Sequence, residues 1–240
     1  ILEITSKLPE IKKSPNATLL AETIETYNGV PETSEKDKRN ILKTMVLNYD
    51  DIAGAGFLMP NGDMYILEPY YKQLNLSKTN FSFRDYYKGA VDAGKIFMDD
   101  VIISTATGKP VTITVIPIFG NANFENNENN TDNEITGILL SSLDFNVPNK
   151  LLNSLNLTNS ERVVYLDHLG NKIADSLDTT INNETEDIFS NLTSFNNAVS
   201  GVSGNIIEDF NNTKMIISYY PVKAVQNTWA VLWMKPYTNQ

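Results

Sequence analysis

The residues whose types and spacing could do chemistry are few. In Phe81-Ser-Phe-Arg-Asp-Tyr-Tyr-Lys-Gly-Ala90, Arg84 precedes Tyr86 and Tyr87 by two and three positions. An arginine presents a rigid fork of donors that grips a carboxylate through two parallel hydrogen bonds. Tyrosine adds a flat apolar wall with a hydroxyl at its tip. Such a set can hold a small polar molecule without transforming it. The alternative is that Arg84 pairs with a structural acid and the tyrosines are core. Asp99 and Asp100 are the one tempting pair of carboxylates near this segment, as a glycoside hydrolase would need. Neighbouring residues on a strand face opposite ways, so the two cannot easily flank one bond.

Other chemistries are excluded by count. The chain of 240 residues has no cysteine, which removes disulfides, thiolate catalysis and cysteine metal sites. His168 is the one histidine and sits at what reads as a hairpin tip, Leu166-Asp-His-Leu-Gly170, where a turn role is expected. No Gly-x-Ser-x-Gly elbow is present, and no cofactor or metal is expected. A net charge of -10 argues against nucleic acid or an anionic membrane surface as partner. Hydrophobic residues make up 41%, enough for a packed core. No run of apolar residues is long enough to span a bilayer and no signal peptide is visible, as a trimmed ectodomain or a cytoplasmic protein would read. Eight Asn-x-Ser/Thr sequons, at Asn16, Asn75, Asn80, Asn129, Asn156, Asn183, Asn191 and Asn211, exceed the ~5 that so asparagine-rich a chain gives by chance and lean toward export.

The elements that must position these residues change character along the chain. Residues 1–49 read as helical. Ser14-Pro15 is the expected cap of one helix, with Leu20, Ile24 and Tyr27 on one face, and Ser34 to Asp37 has capping-box spacing before Ile41, Leu42, Met45, Val46 and Tyr49. Strands are expected at 52–59, 64–67, 101–105, 111–118 and 134–145, with an Asn-rich exposed loop at 120–134. Short turns between strands favour an antiparallel sheet with helices packed on it. A second module is expected at 147–240, with a hairpin at 162–177, a helix at 182–199, strands at 206–210, 214–221 and 228–234, and the link at 148–157. The boundaries are thus a helical region at 1–49, a ligand-binding module at 50–146 and a second module at 147–240.

Arg-Asp-Tyr-Tyr at 84–87, Ser104-Thr-Ala-Thr-Gly-Lys-Pro110, Ile116-Pro-Ile118, Gly137-Ile-Leu-Leu140, Tyr220-Pro-Val222 and Thr228-Trp-Ala-Val231 occur in an order that resembles the double Cache family, the extracytoplasmic sensor domains of histidine kinases and chemoreceptors. Gly56 to Gly62 resembles the family's first hairpin, and Leu8 to Ile11 the lower part of its long N-terminal helix. The resemblance covers nearly the whole chain. It implies an α+β fold of two PAS-like modules with antiparallel sheets on a long N-terminal helix, ligand in the membrane-distal module, and transmembrane helices of the parent receptor beyond this sequence. The amino-acid-sensing branch grips the ligand carboxylate with Arg-x-Trp-Tyr, which Arg84, Tyr86 and Tyr87 match with Tyr86 in place of the tryptophan. Ser104 and Ser142 fall where that branch places aspartates for the ligand ammonium, although Asp144 is two residues on. The candidate ligand set is therefore Arg84, Tyr86, Tyr87, Phe57, Tyr65, Asp99, Asp100, Ser104 and Ser142, and the ligand a small carboxylate or neutral polar molecule rather than an ordinary α-amino acid.

Three functions compete at this point. A sensor domain without catalysis, in an extracellular setting and with a possible homodimer, is the first. A surface adhesive domain and a carboxylate-based hydrolase are the others. An Arg84 directed into a pocket favours the sensor, and an Arg84 paired on the outer surface favours the adhesin.

Overall fold

A computed structural model describes residues 1–108, 110–120, 134–177 and 188–238. The chain divides into two compact units, Ile1–Asp144 and Phe145–Gln240.

The first unit opens with four helices, α1 (Leu2–Thr5), α2 (Pro9–Lys12), α3 (Ala17–Tyr27) and α4 (Lys36–Asn48). The long helix that the resemblance implies at Leu8 to Ile11 is therefore a short one: Leu8 is extended (φ -65, ψ 135) and Pro9 restarts the helix at its first position. The cap of α3 is Asn16, whose side chain accepts from Leu19 N at 3.0 Å, rather than Ser14-Pro15. Ser34 to Asp37 is not a capping box either. Glu35 takes a left-handed conformation (φ 55), and its carboxylate instead accepts the Tyr65 hydroxyl at 2.8 Å.

Behind these helices lies a sheet built from β1 (Ile52–Leu58), β2 (Met64–Glu68), β3 (Phe97–Met98), β4 (Ile102–Ile103), β5 (Pro110–Phe119) and β6 (Ile135–Leu143). Its order is β2-β1-β6-β5-β3, with β4 paired to β5, and every pairing is antiparallel. Two more helices, α5 (Tyr70–Leu74) and α6 (Asp85–Ala93), connect β2 to β3. Strand alternation sends one set of side chains to each face. Ala55, Phe57, Ile118 and Leu139 join Leu20, Leu42 and Met45 in a core under α3 and α4. Leu58, Leu67, Ile113, Val115 and Leu140 join Phe81, Tyr86 and Ala90 on the opposite face, under α6.

Arg39 of α4 ties the helices to the sheet. Its side chain, 2% exposed, pairs with Glu68 at 2.6 Å and donates to the carbonyls of Val30 and Ser34 and to Gln73 Oε1. Gln73 in turn accepts from Leu67 N and donates to the Tyr27 and Val30 carbonyls, which locks α5 in place.

The second unit carries α7 (Asn146–Ser154), β7 (Arg162–Leu166), β8 (Lys172–Asp175), α8 (Thr193–Val199), β9 (Gly204–Phe210), β10 (Thr213–Ala224) and β11 (Asn227–Pro236), with sheet order β8-β7-β11-β10-β9. The stretch read as a link at 148–157 is mostly α7, held by the burial of Leu152 against Val163 and Ala174. The helix expected at 182–199 is confined to α8; Ile188 to Leu192 precede it, and 182–187 lie outside the described residues, as does most of the loop at 120–134. His168 is half-buried in the β7–β8 turn, which Asp167 shapes by accepting from Leu169 N and Asn171 N. Pro221 sits within β10 because β9 pairs only as far as Tyr219, so a missing amide there faces no partner on that side.

Candidate functional site

On the α6 side of the first sheet lies a cavity of about 220 Å³. Its floor is the sheet itself: Met64 and Leu67 from β2, Val111 and Ile113 from β5, Leu140 and Ser142 from β6. Gly54 keeps the floor open beside Ser142, since a Cβ there would stand 3.0 Å from the Ser142 Oγ. The walls come from α5 (Tyr71, Lys72), the segment before α6 (Phe81, Arg84), Tyr86 within it, and the turn at Ile102 to Thr107.

Arg84 occupies the residue before α6 with an extended backbone (φ -74, ψ 144), which swings its side chain off the helix axis. Its segment is fixed to the β1–β2 turn by Phe81 N donating to the Gly62 carbonyl at 2.8 Å, and by Asn80, which donates to Asn61 O and Asp63 and accepts from Ser82. Among the described residues the guanidinium of Arg84 makes no hydrogen bond or ion pair; the Phe83 ring lies 5.2 Å from its Cζ. Tyr86 is buried, and its hydroxyl likewise has no hydrogen-bond partner among the described residues. Burial pushes the Tyr86 phenol well above its usual pKa, with Asp99 adding to the shift and Arg84 opposing it, so it serves as a neutral donor. Ser104 and Ser142 line the same space; their hydroxyls contact Ala106 N and Gly54 O at 3.3 and 3.4 Å, long enough to exchange for a better partner.

The other candidates go elsewhere. Tyr87 follows Tyr86 by about 100° around the helix, misses the cavity and donates its hydroxyl to Pro60 O at 2.5 Å. Phe57 and Tyr65 are packed edge to face (6.3 Å, 63°) in the core under α3 and α4, because their strand positions point to the opposite face. Neither Asp99 nor Asp100 lines the cavity. Asp99 is buried behind it, in the crossing from β3 to β4, with Oδ1 accepting from Asp100 N at 3.1 Å. Two wall residues, Lys72 and Tyr71, escaped the sequence reading, and Asp144, noted there beside Ser142 but left out of the candidate set, lines the cavity as well. Strand parity signals Asp144, two positions beyond Ser142, whereas nothing in the sequence around Lys72 separates it from an ordinary surface lysine.

Burial raises the Asp99 carboxyl from 3.8 to about 6, helped by repulsion from Asp100 and Asp85 and opposed by the Asp100 amide and by Arg84. Since the folded state holds this proton more tightly than the unfolded chain, Asp99 contributes fully below about pH 4 and loses that contribution as pH rises through about 6. Asp99→Asn is expected to stabilise the protein at pH 8 by on the order of 1 kcal/mol and to give no gain at pH 4. Denaturant unfolding of both proteins across that range checks it, and a gain independent of pH would sink the burial argument.

A second concavity, between α4 and α5, is wider and apolar, about 470 Å³, with Val46, Leu47, Tyr70 and Leu74 in its lining. Its charged lining residues are already engaged, Lys43 with Glu32 at 3.3 Å and Glu68 with Arg39 at 2.6 Å, whereas Arg84 has no such partner among the described residues, which makes the inner cavity the candidate site.

The sequence matches the Cache domain family over residues 5–239. The chain belongs to the Cache domain family. Family members are periplasmic or extracellular sensor domains of receptors, not enzymes, and this chain is a sensor domain of the double Cache type with two antiparallel sheets. Among solved structures it is similar to the ligand-binding domain of the Pseudomonas aeruginosa amino-acid chemoreceptor PctC in complex with GABA, with 14% identity, a TM-score of 0.59 and coverage of 98% of this chain and 96% of that one. The periplasmic sensory domain of the Campylobacter jejuni chemoreceptor Tlp1 gives 14% identity, a TM-score of 0.64 and coverage of 98% and 86%. The extracellular domain of the putative histidine kinase rpHK1S-Z16 gives 13%, 0.64, and 92% and 85%. No curated protein matches the chain in sequence. Among the described residues no helix is long and apolar enough to cross a membrane.

Proposed function

We propose that the inner cavity of the first unit is the ligand site of this Cache domain, that Arg84 anchors an acidic group there, and that the ligand is a small carboxylate. The observation that carries the reading is the convergence on one cavity of a guanidinium and a neutral phenol that make no hydrogen bond or ion pair among the described residues. A cationic fork without a protein partner is a poor structural device and a good receptor for an anion. Ser104, Ser142 and the turn hydroxyls Thr105 and Thr107 supply orienting polar contacts, and Phe81, Leu67 and Ile113 supply the apolar wall. A volume of about 220 Å³ suits a metabolite of a few heavy atoms rather than a peptide or sugar chain. The GABA complex of PctC and the L-Arg and L-Gln complexes of PctB, all domains of this fold, support a small carboxylate-bearing ligand.

A second reading, a ligand that also carries an ammonium group, is favoured by Asp144, whose position in the lining gives a carboxylate to receive it. In either case the domain stands outside the cell as part of a receptor whose membrane helices flank this sequence, works as a binding module and can pair with a second copy.

The test is a thermal-unfolding screen of the wild-type domain with small carboxylates, amides, polyols and amines. A ligand at a hundred times its Kd adds about 2.7 kcal/mol of apparent stability, which moves the transition by several degrees. Carboxylates are expected among the stabilising compounds. A screen in which only cations or apolar compounds shift the transition would overturn the reading.

A further inference from the structure

Lys72 brings a second cation into the cavity. It is carried by α5, is 9% exposed, and its ammonium donates to the carbonyl of Ala53 at the start of β1. Its Cδ lies 3.8 Å from the point a Cβ at Gly54 would occupy, and the Ser142 hydroxyl lies 3.0 Å from the same point, so Lys72 and Ser142 share one corner. Asp144, whose amide donates to Asp51 just before β1, lines the cavity as well. Arg84 enters from the other end of β1, where its segment is tied to Gly62.

We propose that Lys72 is a specificity-determining residue that excludes ligands bearing an ammonium group, because the protein's own cation already fills the end of the cavity opposite Arg84. The inference rests on the inner cavity being the ligand site. Lys72, Arg84 and Asp144 are the charged residues in the described lining, and their formal charges leave one positive charge in excess. A monocarboxylate neutralises that excess. A zwitterion leaves it, and brings a cation to a place where one already stands in a partly dehydrated space, where like charges repel far more than in water. The sum is the same whether or not Lys72 and Asp144 engage each other. The serines at 104 and 142 fit this arrangement, since a hydroxyl can serve a ligand hydroxyl, carbonyl or amide without adding charge. The ligand class is a compact monocarboxylate whose second polar group is neutral.

Calorimetric titration of two matched pairs tests the role: L-lactate against L-alanine, and 4-hydroxybutyrate against 4-aminobutyrate. Wild type is expected to prefer the ammonium-free member of at least one pair by about tenfold. Lys72→Met keeps the stem and removes the charge, and is expected to close that gap to within about threefold, while Lys72→Arg keeps it. Equal or tighter wild-type binding of the amine in both pairs overturns the proposal, as does an unchanged ratio in Lys72→Met, and so does failure of all four compounds to bind at roughly millimolar concentration. Should Lys72→Met not fold, Lys72→Gln is read in its place, and the wild-type ratio alone still decides the sign. Arg84→Ala separates the two layers: if it weakens both members of a pair alike, the site reading stands whatever Lys72 does, and if it weakens neither, the site reading falls even where the Lys72 ratio shifts.

Discussion

Arg84→Ala is expected to weaken carboxylate binding by roughly tenfold to a hundredfold while leaving the fold intact. A charge-assisted hydrogen bond contributes about 1.5–3 kcal/mol, and the bidentate grip of a guanidinium lies toward the upper end. The loss falls on binding alone because Arg84 has no hydrogen-bonded or ionic protein partner among the described residues, so removing it strands no buried charge. What it gives up in the free protein is a contact with the half-exposed Phe83 ring. Arg84→Lys keeps the charge without the planar fork, and an intermediate affinity is expected. Calorimetry with the best carboxylate from the screen decides the matter; affinity within about twofold of wild type in Arg84→Ala would remove the residue from the site.

The largest effect on stability is expected at Arg39. Arg39→Met leaves the Glu68 carboxylate, 1% exposed, without its ionic partner, and also strips a donor from the carbonyls of Val30 and Ser34. Breaking a buried pair from one side costs about 3–5 kcal/mol. In a unit of this size that lowers the midpoint of its thermal transition by about 10 °C or more. Because Glu68 and the neighbouring Gln73 fix α5, the loss is expected to reach the cavity wall as well and to weaken ligand binding. The double variant Arg39→Met with Glu68→Gln removes both charges and is expected to recover a good part of the loss. A single variant within about 1 kcal/mol of wild type would show that the pair carries little of the unit's stability.

The two antiparallel sheets and most strand positions are legible in the sequence, since alternation and turn residues depend on local rules. Arg84 and Tyr86 are legible for a related reason: a polar turn, an arginine and a helix start lie within six residues of one another. The difference between Tyr86 and Tyr87 is one step around α6, and Phe57 and Tyr65 miss the cavity through strand parity, which composition does not reveal. Short β3 escapes because a two-residue strand has no period to detect. The cap at Asn16 and the left-handed Glu35 were masked by better-looking neighbours, Ser14-Pro15 and Ser34, whose side chains are not used as caps. Lys72 is the deepest omission. Only the return of α5 against Ala53 turns an unremarkable lysine into a wall of the cavity.

The sheet order β2-β1-β6-β5-β3 also governs when the site can come into being during synthesis. β1 and β5 never touch as partners; β6 lies between them and pairs with both. As the chain leaves the ribosome, the hairpin, the arginine segment and the turn with Ser104 are all made before the strand that joins the two halves of the sheet. The nascent domain therefore holds most of the proposed site's lining yet lacks its floor, which is completed only when residues 135–144 have emerged with Leu140, Ser142 and Asp144.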